Sequence, residues 1–139
     1  MDDVVPMLTY ADGPAAMDWL AEAFGFVEQT RWLDGAGRVS HGEMRAGGGL
    51  VMIASTTTAY EGPTAHRAHC ATADAWLRSP FVVDGTLVYV DDIDAHYARA
   101  LSAGAPTLSE IEDGPGRLYR TEDLEGHRWM FMQRSHARS

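Results

Sequence analysis

The feature that most constrains this chain is an internal repeat, in which two similar helix-forming segments begin 79 residues apart. Asp12 opens a segment that ends at Gly25, and Asp91 opens one that ends at Gly104. Aspartate is a favoured N-cap, and glycine suits the left-handed position that ends a helix. Each segment is therefore predicted to be a helix with one buried face. The apolar stripes are Met17, Leu20, Ala21 and Phe24 in the first, and Ile93, Tyr97, Ala100 and Leu101 in the second.

Strand-forming runs flank both predicted helices in the same order. One run precedes each helix, at 4–10 and at 86–90. Three short runs follow it, separated by turns rich in Gly, Asp and Pro, which favour chain reversal. These runs are 27–33, 39–45 and 50–55 in the first half, and 107–111, 117–121 and 127–133 in the second. The chain is therefore predicted to be an α+β protein of two tandem βαβββ modules.

A long connection, 57–83, separates module one (about 2–56) from module two (about 84–134). Structureless connections of this length are uncommon, so we expect the linker to cover a site or to bridge modules or subunits. A short helix is predicted within it at 71–77. With 139 residues, the chain forms one domain that can bury a core without disulfides or metal.

Composition excludes several classes of function. The chain contains no Lys, which removes Schiff-base chemistry and Walker-type phosphate loops. Cys70 is the only cysteine, so no internal disulfide forms. A net charge of −9 argues against nucleic acid and anionic membranes as partners, and it tolerates a cationic ligand. No apolar run approaches the roughly 18 residues of a membrane span and no signal peptide is evident, so we expect a cytoplasmic protein.

Four segments, in order along the chain, resemble the vicinal oxygen chelate superfamily, which includes glyoxalase I, bleomycin-resistance proteins and extradiol dioxygenases. They are Met7-Leu8-Thr9-Tyr10-Ala11-Asp12, Glu22-Ala23-Phe24-Gly25, Tyr89-Val90-Asp91-Asp92-Ile93-Asp94-Ala95 and Asp123-Leu124-Glu125-Gly126-His127-Arg128-Trp129. The segment His41-Gly42-Glu43-Met44-Arg45 is also similar to the third strand of a widespread bacterial subgroup. The resemblance implies a cup-shaped mixed sheet with helices on its convex face and a ligand cavity inside.

The resemblance also implies four metal-ligand positions, on the first and last strands of each module. In this chain they are Val5, Ile53, Gly85 and Met130, and none of these side chains suits a divalent metal. Among the adjacent positions only Asp84 carries a ligand, and a single carboxylate does not hold a divalent ion. Without metal, the chemistry of the family's glyoxalases and dioxygenases lacks its electrophile. We therefore expect no cofactor.

The cavity is predicted to be lined by side chains of alternate strand residues. On the run 39–45, Val39, His41 and Glu43 share one face, while Gly42 and Met44 share the other, which suits contact with a helix. His41 and Glu43 then either point inward, where they can orient a ligand or move a proton, or form a hydrogen-bonded pair at the rim. The other predicted ligand-binding residues are Met7, Thr9, Trp32, Leu87, Tyr89, Tyr119, Arg128 and Met130.

Two further groups of residues have plainer interpretations. His66, His69 and Cys70 bring three potential metal ligands within five positions, but no fourth ligand is evident, which favours a surface loop. Trp76 is a candidate aromatic wall of the cavity. Trp19 lies nearly opposite the apolar stripe of the first helix, where it suits a subunit contact.

Two functions from different classes remain open. The first is a metal-free small-molecule-binding protein of the bleomycin-resistance type, which holds an aromatic or cationic organic ligand. The alternative is an enzyme of the same superfamily, lyase-, isomerase- or dioxygenase-like, with His41 and Glu43 as acid and base or with an unrecognised metal site. A structural or regulatory module is a third interpretation and needs a protein partner. Because open sheet edges are liabilities unless paired, we also expect a homodimer.

Overall fold

The structure is a computed structural model, and it describes residues 4–134. The first two residues of predicted module one lie outside this range. The elements follow one another as β1 (Met7–Tyr10), α1 (Gly13–Phe24), β2 (Val27–Leu33), β3 (Val39–Ala46), β4 (Gly49–Ser55), α2 (Pro63–Arg67), α3 (Ala71–Leu77), β5 (Thr86–Val90), α4 (Ile93–Ser102), β6 (Leu118–Glu122) and β7 (Arg128–Gln133). This order confirms the α+β class.

The two long helices begin and end within one residue of the positions that the repeat predicts. The Asp12 side chain accepts a hydrogen bond from the backbone N–H of Ala15 at 3.1 Å, and Gly25 ends α1 with a φ of +72°. In α4 the N-cap is Asp92, one residue later than predicted, and it accepts from the N–H of Ala95 at 3.1 Å. Both caps satisfy backbone donors that the first helical turn leaves unpaired. The apolar stripes are buried or half-buried, except that Leu101 is exposed.

The strands form two sheets, which we call sheet A (β1-β4-β3-β2) and sheet B (β5-β7-β6). In each sheet the strand that precedes the long helix pairs in parallel with the last strand of the module, and the other pairs are antiparallel. The predicted cup-shaped sheet is thus divided into two. Within the described residues no hydrogen-bonded strand pair joins sheet A to sheet B.

The strand predicted at 107–111 is wrong, because the structure has only isolated bridges there, at Thr107 and at Glu112. The side chain of Ser109 accepts the backbone N–H of Arg120, and the N–H groups of both Leu108 and Ser109 turn to the single carbonyl of Arg120. A side-chain hydrogen bond therefore replaces the regular ladder, a competition that serine favours. Sheet B consequently ends at β6.

One hydrophobic core joins the modules, and it lies on the helix-bearing faces of both sheets. Phe24, at the end of α1, meets Phe131 of β7 with ring centroids 4.7 Å apart. Phe26 meets Trp129 at 5.2 Å, in an edge-to-face arrangement that aromatic pairs favour. The opposite face of each sheet points away from this core, and we call these surfaces the open faces of sheet A and sheet B.

Polar contacts between helices tie the modules together beside the core. Arg99 of α4 donates hydrogen bonds to the carbonyls of Ala21 and Glu22, in the last turn of α1. The carbonyl of Ala21 also accepts the N–H of Gly25 at 3.1 Å, and α1 carries no basic residue in its own last turn. The second module therefore supplies the positive charge that the C-terminus of α1 lacks.

The linker contains the helix predicted at 71–77, which is α3, and the additional short helix α2. The backbone N–H of Thr64 in α2 donates to the carbonyl of Glu125, in the turn between β6 and β7. The linker thus lies against module two. Across the described residues no helix has both the length and the apolar character needed to cross a bilayer.

Candidate functional site

The open face of sheet A carries two rows of side chains set by strand register. Met7, Met52, Glu43 and Thr30 pair successively across β1, β4, β3 and β2 and make one row. Thr9 with Ala54, and His41 with Trp32, lie in the adjacent row. A recess of about 110 Å³ opens between β1, β3 and β4 and is lined by Met7, Thr9, Ser40, His41, Met52 and Ala54. The predicted residues Met7, Thr9 and His41 therefore lie together.

The alternation predicted for β3 holds from His41 onward. A Cβ on Gly42 would lie 2.8 Å from Sδ of Met17 in α1, so this glycine is on the helix side, as is the fully buried Met44. His41 and Glu43 consequently point to the open face. Val39 does not join them: the pairing shifts between Trp32 and Leu33, which turns Val39 into the core.

His41 and Glu43 form a hydrogen-bonded pair, with 2.9 Å between Nε2 and Oε2. The second oxygen of Glu43 accepts from Gln29 at 2.9 Å and from Thr30 at 3.0 Å. The bond from His41, followed by those from Gln29 and Thr30, lowers the pKa of Glu43. Trp32 lies beside the pair, with its ring centroid 5.3 Å from that of His41. The carboxylate is fixed and ionised, and one edge of the imidazole is held against it.

The open face of sheet B is more apolar. Leu87, Met130 and Arg120 pair successively across β5, β7 and β6, and Tyr89, Met132 and Leu118 form the next row. The linker passes over one end of this face and borders a cavity of about 320 Å³ that is open to solvent on one side; we call it the sheet B cavity. Its walls include Phe81, Asp84, Leu87, Arg120, Arg128 and Met130. The predicted residues Leu87, Arg128 and Met130 meet there, whereas Tyr89 lies on the same face outside the cavity.

Arg128 holds the linker to sheet B. Its guanidinium bonds Oε2 of Glu122 through Nε at 3.1 Å and Nη2 at 2.9 Å, and it also donates to the carbonyls of Leu77 and Ser79. The side chains of Arg128 and Glu122 are 3% and 7% exposed. Leu77 and Ser79 lie at the end of α3, so Arg128 caps that helix. The arginine forms part of the cavity wall, but most of its donors are already engaged.

Arg120 is a cavity residue that the sequence analysis missed. Successive side chains of a strand point to opposite faces, so Arg120 and Tyr119 must lie on different faces of the sheet. An arginine is rarely buried without a partner. That contrast was the available signal, because one of the two neighbours had to face the core. Tyr119 was selected as a cavity wall instead, and this prediction is wrong: Tyr119 is 1% exposed, lies in the core and hydrogen-bonds His96.

The remaining predicted positions are distributed over both surfaces. Ile53, at one of the four metal-ligand positions that the resemblance implies, is 1% exposed and faces the core, because β4 turns Met52 and Ala54 to the open face. Val5 is half-buried and Gly85 is exposed. Trp19 is half-buried against Phe24, with ring centroids 5.1 Å apart, and Trp76 is exposed on α3.

The prediction of a surface loop for His66, His69 and Cys70 holds only in part, because His66 lies in α2 and the other two lie between α2 and α3. His69 pairs with Glu61 at 2.5 Å, and both side chains are well exposed. Cys70 precedes α3 and is half-buried. Within residues 4–134 no group of three or more His, Cys, Asp and Glu side chains is arranged to hold a metal ion.

Two modules with this strand order, packed through their long helices and bearing open outer faces, define a protein of the glyoxalase-like class. The chain belongs to the Glyoxalase/Bleomycin resistance protein/Dioxygenase superfamily, whose family model matches residues 4–131. An uncharacterised protein of Mycobacterium bovis is 29% identical over 130 residues, which cover 92% of this chain and 80% of the relative.

Solved structures show the same fold. TioX from Micromonospora sp. ML1 is 31% identical, with a TM-score of 0.70, over 99% of this chain and 100% of that one. The bleomycin-binding protein of Streptomyces verticillus, in complex with copper(II)-bleomycin, is 20% identical with a TM-score of 0.59, over 95% of both chains. The resemblance read from the sequence is thereby confirmed.

Proposed function

We propose that this protein binds a small organic molecule on the open faces of its sheets, without a metal cofactor. The observation that carries the proposal is the sheet B cavity, whose mostly apolar wall of Leu87, Met130 and Phe81 is interrupted by a few polar groups. Cavities of about 300 Å³ or more with this composition are typical of small-molecule sites. The cavity lies on the face that the family resemblance assigned to the ligand.

The chemistry of the side chains supports a metal-free site. The four positions at which the family resemblance implies metal ligands hold Val5, Ile53, Gly85 and Met130, which offer no carboxylate or imidazole. A divalent ion needs several such ligands at once. The bleomycin-binding protein, which shares the fold, is named for binding a small molecule, so ligand capture is a function that this fold supports.

We further propose that the ligand site is completed by a second copy of the chain. The modules pack through their helices, so each open face is only one wall of a cup. Apolar side chains are left exposed on both walls: Met7 is 78% and Trp32 64% exposed on sheet A, and Leu87 is 43% exposed on sheet B. In a symmetric dimer, sheet A of each copy can face sheet B of the other copy. The contact then forms twice, and it covers both open faces of each chain.

A direct experiment measures binding and metal content on the same sample. Chelator-treated protein is titrated with bleomycin and with a library of small aromatic compounds, and dissociation constants are measured by calorimetry. The bound compound is then recovered and weighed by mass spectrometry. Tight binding of an unchanged compound by metal-free protein is expected. If binding of the compound requires about one divalent ion per chain, the proposal is wrong.

Leu87→Asp and Phe81→Asp, which place charge in the cavity wall, are expected to abolish binding. Leu101→Asp is the matched control, because Leu101 is 44% exposed on α4 and lies outside the cavity.

A second candidate, acid–base catalysis, is favoured by the His41–Glu43 pair. The ionised carboxylate holds Nε2 of His41, which leaves Nδ1 available to exchange a proton with a compound in the sheet A recess. The test is whether a bound compound is chemically altered. His41→Gln and Glu43→Gln should then abolish turnover while binding survives; if the recovered compound is unchanged in the wild type, catalysis is excluded for that compound.

A further inference from the structure

Arg120 differs from the other arginines in the described part of the chain, because its guanidinium makes no hydrogen bond or ion pair. Nine arginines between residues 4 and 134 bond a carboxylate or a carbonyl, and their partners include Asp18, Asp34, Asp74, Asp91, Asp94 and Glu122. Only the backbone of Arg120 is engaged, by the side chain of Ser109 and by the N–H groups of Leu108 and Ser109. The unengaged charge is half-buried and lines the sheet B cavity.

The fold explains why Arg120 has no neighbour to pair with. Glu43 and Arg120 occupy equivalent positions in the two modules: Glu43 pairs with Met52 beside Met7, and Arg120 pairs with Met130 beside Leu87. In sheet A the outer strand β2 supplies Gln29 and Thr30, which bond Glu43. In sheet B, as far as the described residues show, the corresponding strand is not formed. The segment that takes its place bonds the backbone of Arg120, and none of its side chains bonds the guanidinium.

The nearby acidic groups do not neutralise this charge. Asp84 lines the same cavity, but no nitrogen–oxygen distance of 4.0 Å or less joins it to Arg120. Glu122 lies on the same strand and is taken by Arg128 at 2.9 Å, with Arg67 as a second neighbour at 4.0 Å. The cavity therefore holds a fixed positive group beside the apolar side chains of Leu87 and Met130.

We propose that the sheet B cavity recognises a small organic acid, whose carboxylate bonds Arg120 while its hydrocarbon part lies on Leu87, Met130 and Phe81. This inference rests on the proposed function and names the ligand class, which differs from the cationic ligand expected from the net charge. A planar guanidinium matches a carboxylate with two parallel hydrogen bonds. One unengaged arginine balances one negative charge, and the nearby carboxylates disfavour a dianionic phosphate.

The net charge of −9 does not oppose a ligand of this class at short range. Salt screens exposed charges beyond about 8 Å at physiological ionic strength, so the distant acidic residues contribute little. Within the cavity, hydrogen bonds to a charged group are stronger than neutral ones, and the partly apolar wall reduces competition from water.

The experiment compares matched sets of acid, amide and amine: benzoate, 3-phenylpropionate and indole-3-acetate, with the corresponding neutral amides and cationic amines. Affinity for the full-length protein is measured by calorimetry, and the Nε–H resonance of Arg120 is followed by NMR. We expect the acids to bind at least about ten-fold more tightly than their amides, and the amines to bind most weakly. The Arg120 resonance should move only with the acids.

Arg120→Gln should lower the affinity for the acids by about ten- to a hundred-fold and leave that for the amides unchanged. Arg120→Lys, which keeps the charge but not the planar fork, should fall between. The matched control is Arg117→Gln, which makes the same change of charge three residues away, at a side chain paired with Asp94 outside the cavity.

Each other outcome has a definite meaning. Amides that bind as tightly as acids, with both weakened by Leu87→Asp, would overturn the carboxylate assignment and keep the proposed function. Failure of every probe to bind would overturn both at this cavity. If Arg120→Gln instead dissociates a dimer in sedimentation experiments, Arg120 pairs with a second copy of the chain, and the inference is wrong.

Discussion

Tyr10 on β1 donates a hydrogen bond at 2.6 Å to Oδ2 of Asp123, which lies 113 residues further along the chain. The same oxygen accepts from Nε1 of Trp129 at 3.0 Å, and Oδ1 accepts three backbone N–H groups of the turn before β7. Asp123 is 1% exposed, so all five donors are satisfied inside the protein. One buried carboxylate thus shapes the Asp123–His127 turn and attaches it to the first strand of the other module.

The first prediction tests this junction by removing one donor or the acceptor. Tyr10→Phe leaves Oδ2 with Trp129 and should lower the free energy of unfolding by about 1–2 kcal/mol. Asp123→Ala strands several buried donors and should cost about 3 kcal/mol or more, since each unpaired buried group costs about 1–3 kcal/mol. Urea unfolding measures both. Tyr60→Phe, at a half-exposed tyrosine, should change stability by less than about 0.5 kcal/mol.

The second prediction concerns pH and His96. Nε2 of His96 donates to the carbonyl of Phe24 at 3.0 Å, so Nδ1 carries no hydrogen and accepts the hydroxyl of Tyr119 at 2.6 Å. Burial, with a smaller contribution from the positive charge of Arg99, lowers the pKa of His96. Below the unfolded pKa of about 6.5, the unfolded chain binds a proton that the folded protein refuses, so stability falls as the pH falls.

Urea unfolding at pH 7.5, 6.5 and 5.5 measures that loss. His96→Gln should reduce the dependence of the free energy of unfolding on pH by up to about 1.4 kcal/mol per pH unit below pH 6.5. His69→Gln, at an exposed site, should leave this slope unchanged. Equal slopes for His96→Gln and the wild type would mean that folding does not lower the pKa of His96.

The third prediction concerns the attachment of the linker. Arg128→Met removes the cap of α3 and leaves the buried Glu122 carboxylate without its main partner, which typically costs about 3–5 kcal/mol. The double variant Arg128→Met/Glu122→Gln should recover part of this loss, because no buried charge remains. Limited proteolysis should cut the 71–79 segment of Arg128→Met faster than that of the wild type. Arg78→Met, whose side chain is 77% exposed, is the control and should behave as the wild type.

The repeat predicted the architecture because its signals are local. Asp12 and Gly25 terminate α1 through their own backbone preferences, and the corresponding pair predicts α4 to within one residue. The segment 107–111 has a similar strand-forming composition, but the side chain of Ser109 takes the backbone donor that a regular strand needs. That competition depends on where Arg120 lies, which composition does not reveal.

The site was predicted less completely, because the orientation of a side chain depends on register. His41 and Glu43 were assigned correctly to the open face, since Gly42 and Met44 between them mark the helix side. No such marker exists on β4, where a shift of one residue exchanges Ile53 for Met52. The guanidinium of Arg120 has no partner because the outer strand is absent from the described part of module two. No local sequence pattern indicates that this strand is absent.

The fourth prediction is that the protein is a homodimer. Light scattering at micromolar concentration should give twice the 15.2 kDa mass of the chain. Trp32→Asp and Met7→Asp place charges on the exposed apolar surface of sheet A and should raise the dissociation constant of the dimer by at least ten-fold. Trp76→Asp, at a similarly exposed tryptophan on α3, is the matched control. A monomeric wild-type protein at this concentration contradicts the prediction.

The fifth prediction tests the placement of Arg120 without any ligand. Met130 lies between Leu87 and Arg120 in one cross-strand row, so Met130→Glu places a carboxylate beside an unengaged guanidinium. Paired in this way, the introduced carboxyl group should ionise at its usual pKa or below it, and stability at pH 7 should change little. In the Arg120→Gln background the same carboxylate has no partner against a partly apolar wall, so its pKa should rise and the protein should lose more stability.

A double-mutant cycle isolates the interaction, and opposite charges directly across a strand pair are worth up to about 1 kcal/mol. Urea unfolding at pH 7 gives the four free energies, and a carboxylate NMR titration gives the pKa in each background. Met130→Lys is the control of opposite sign: it should be more destabilising than Met130→Glu in the wild type and should gain from Arg120→Gln. If Met130→Glu is equally tolerated with and without Arg120, the guanidinium does not face this row, and the sheet B cavity lacks the positive group on which recognition of a carboxylate depends.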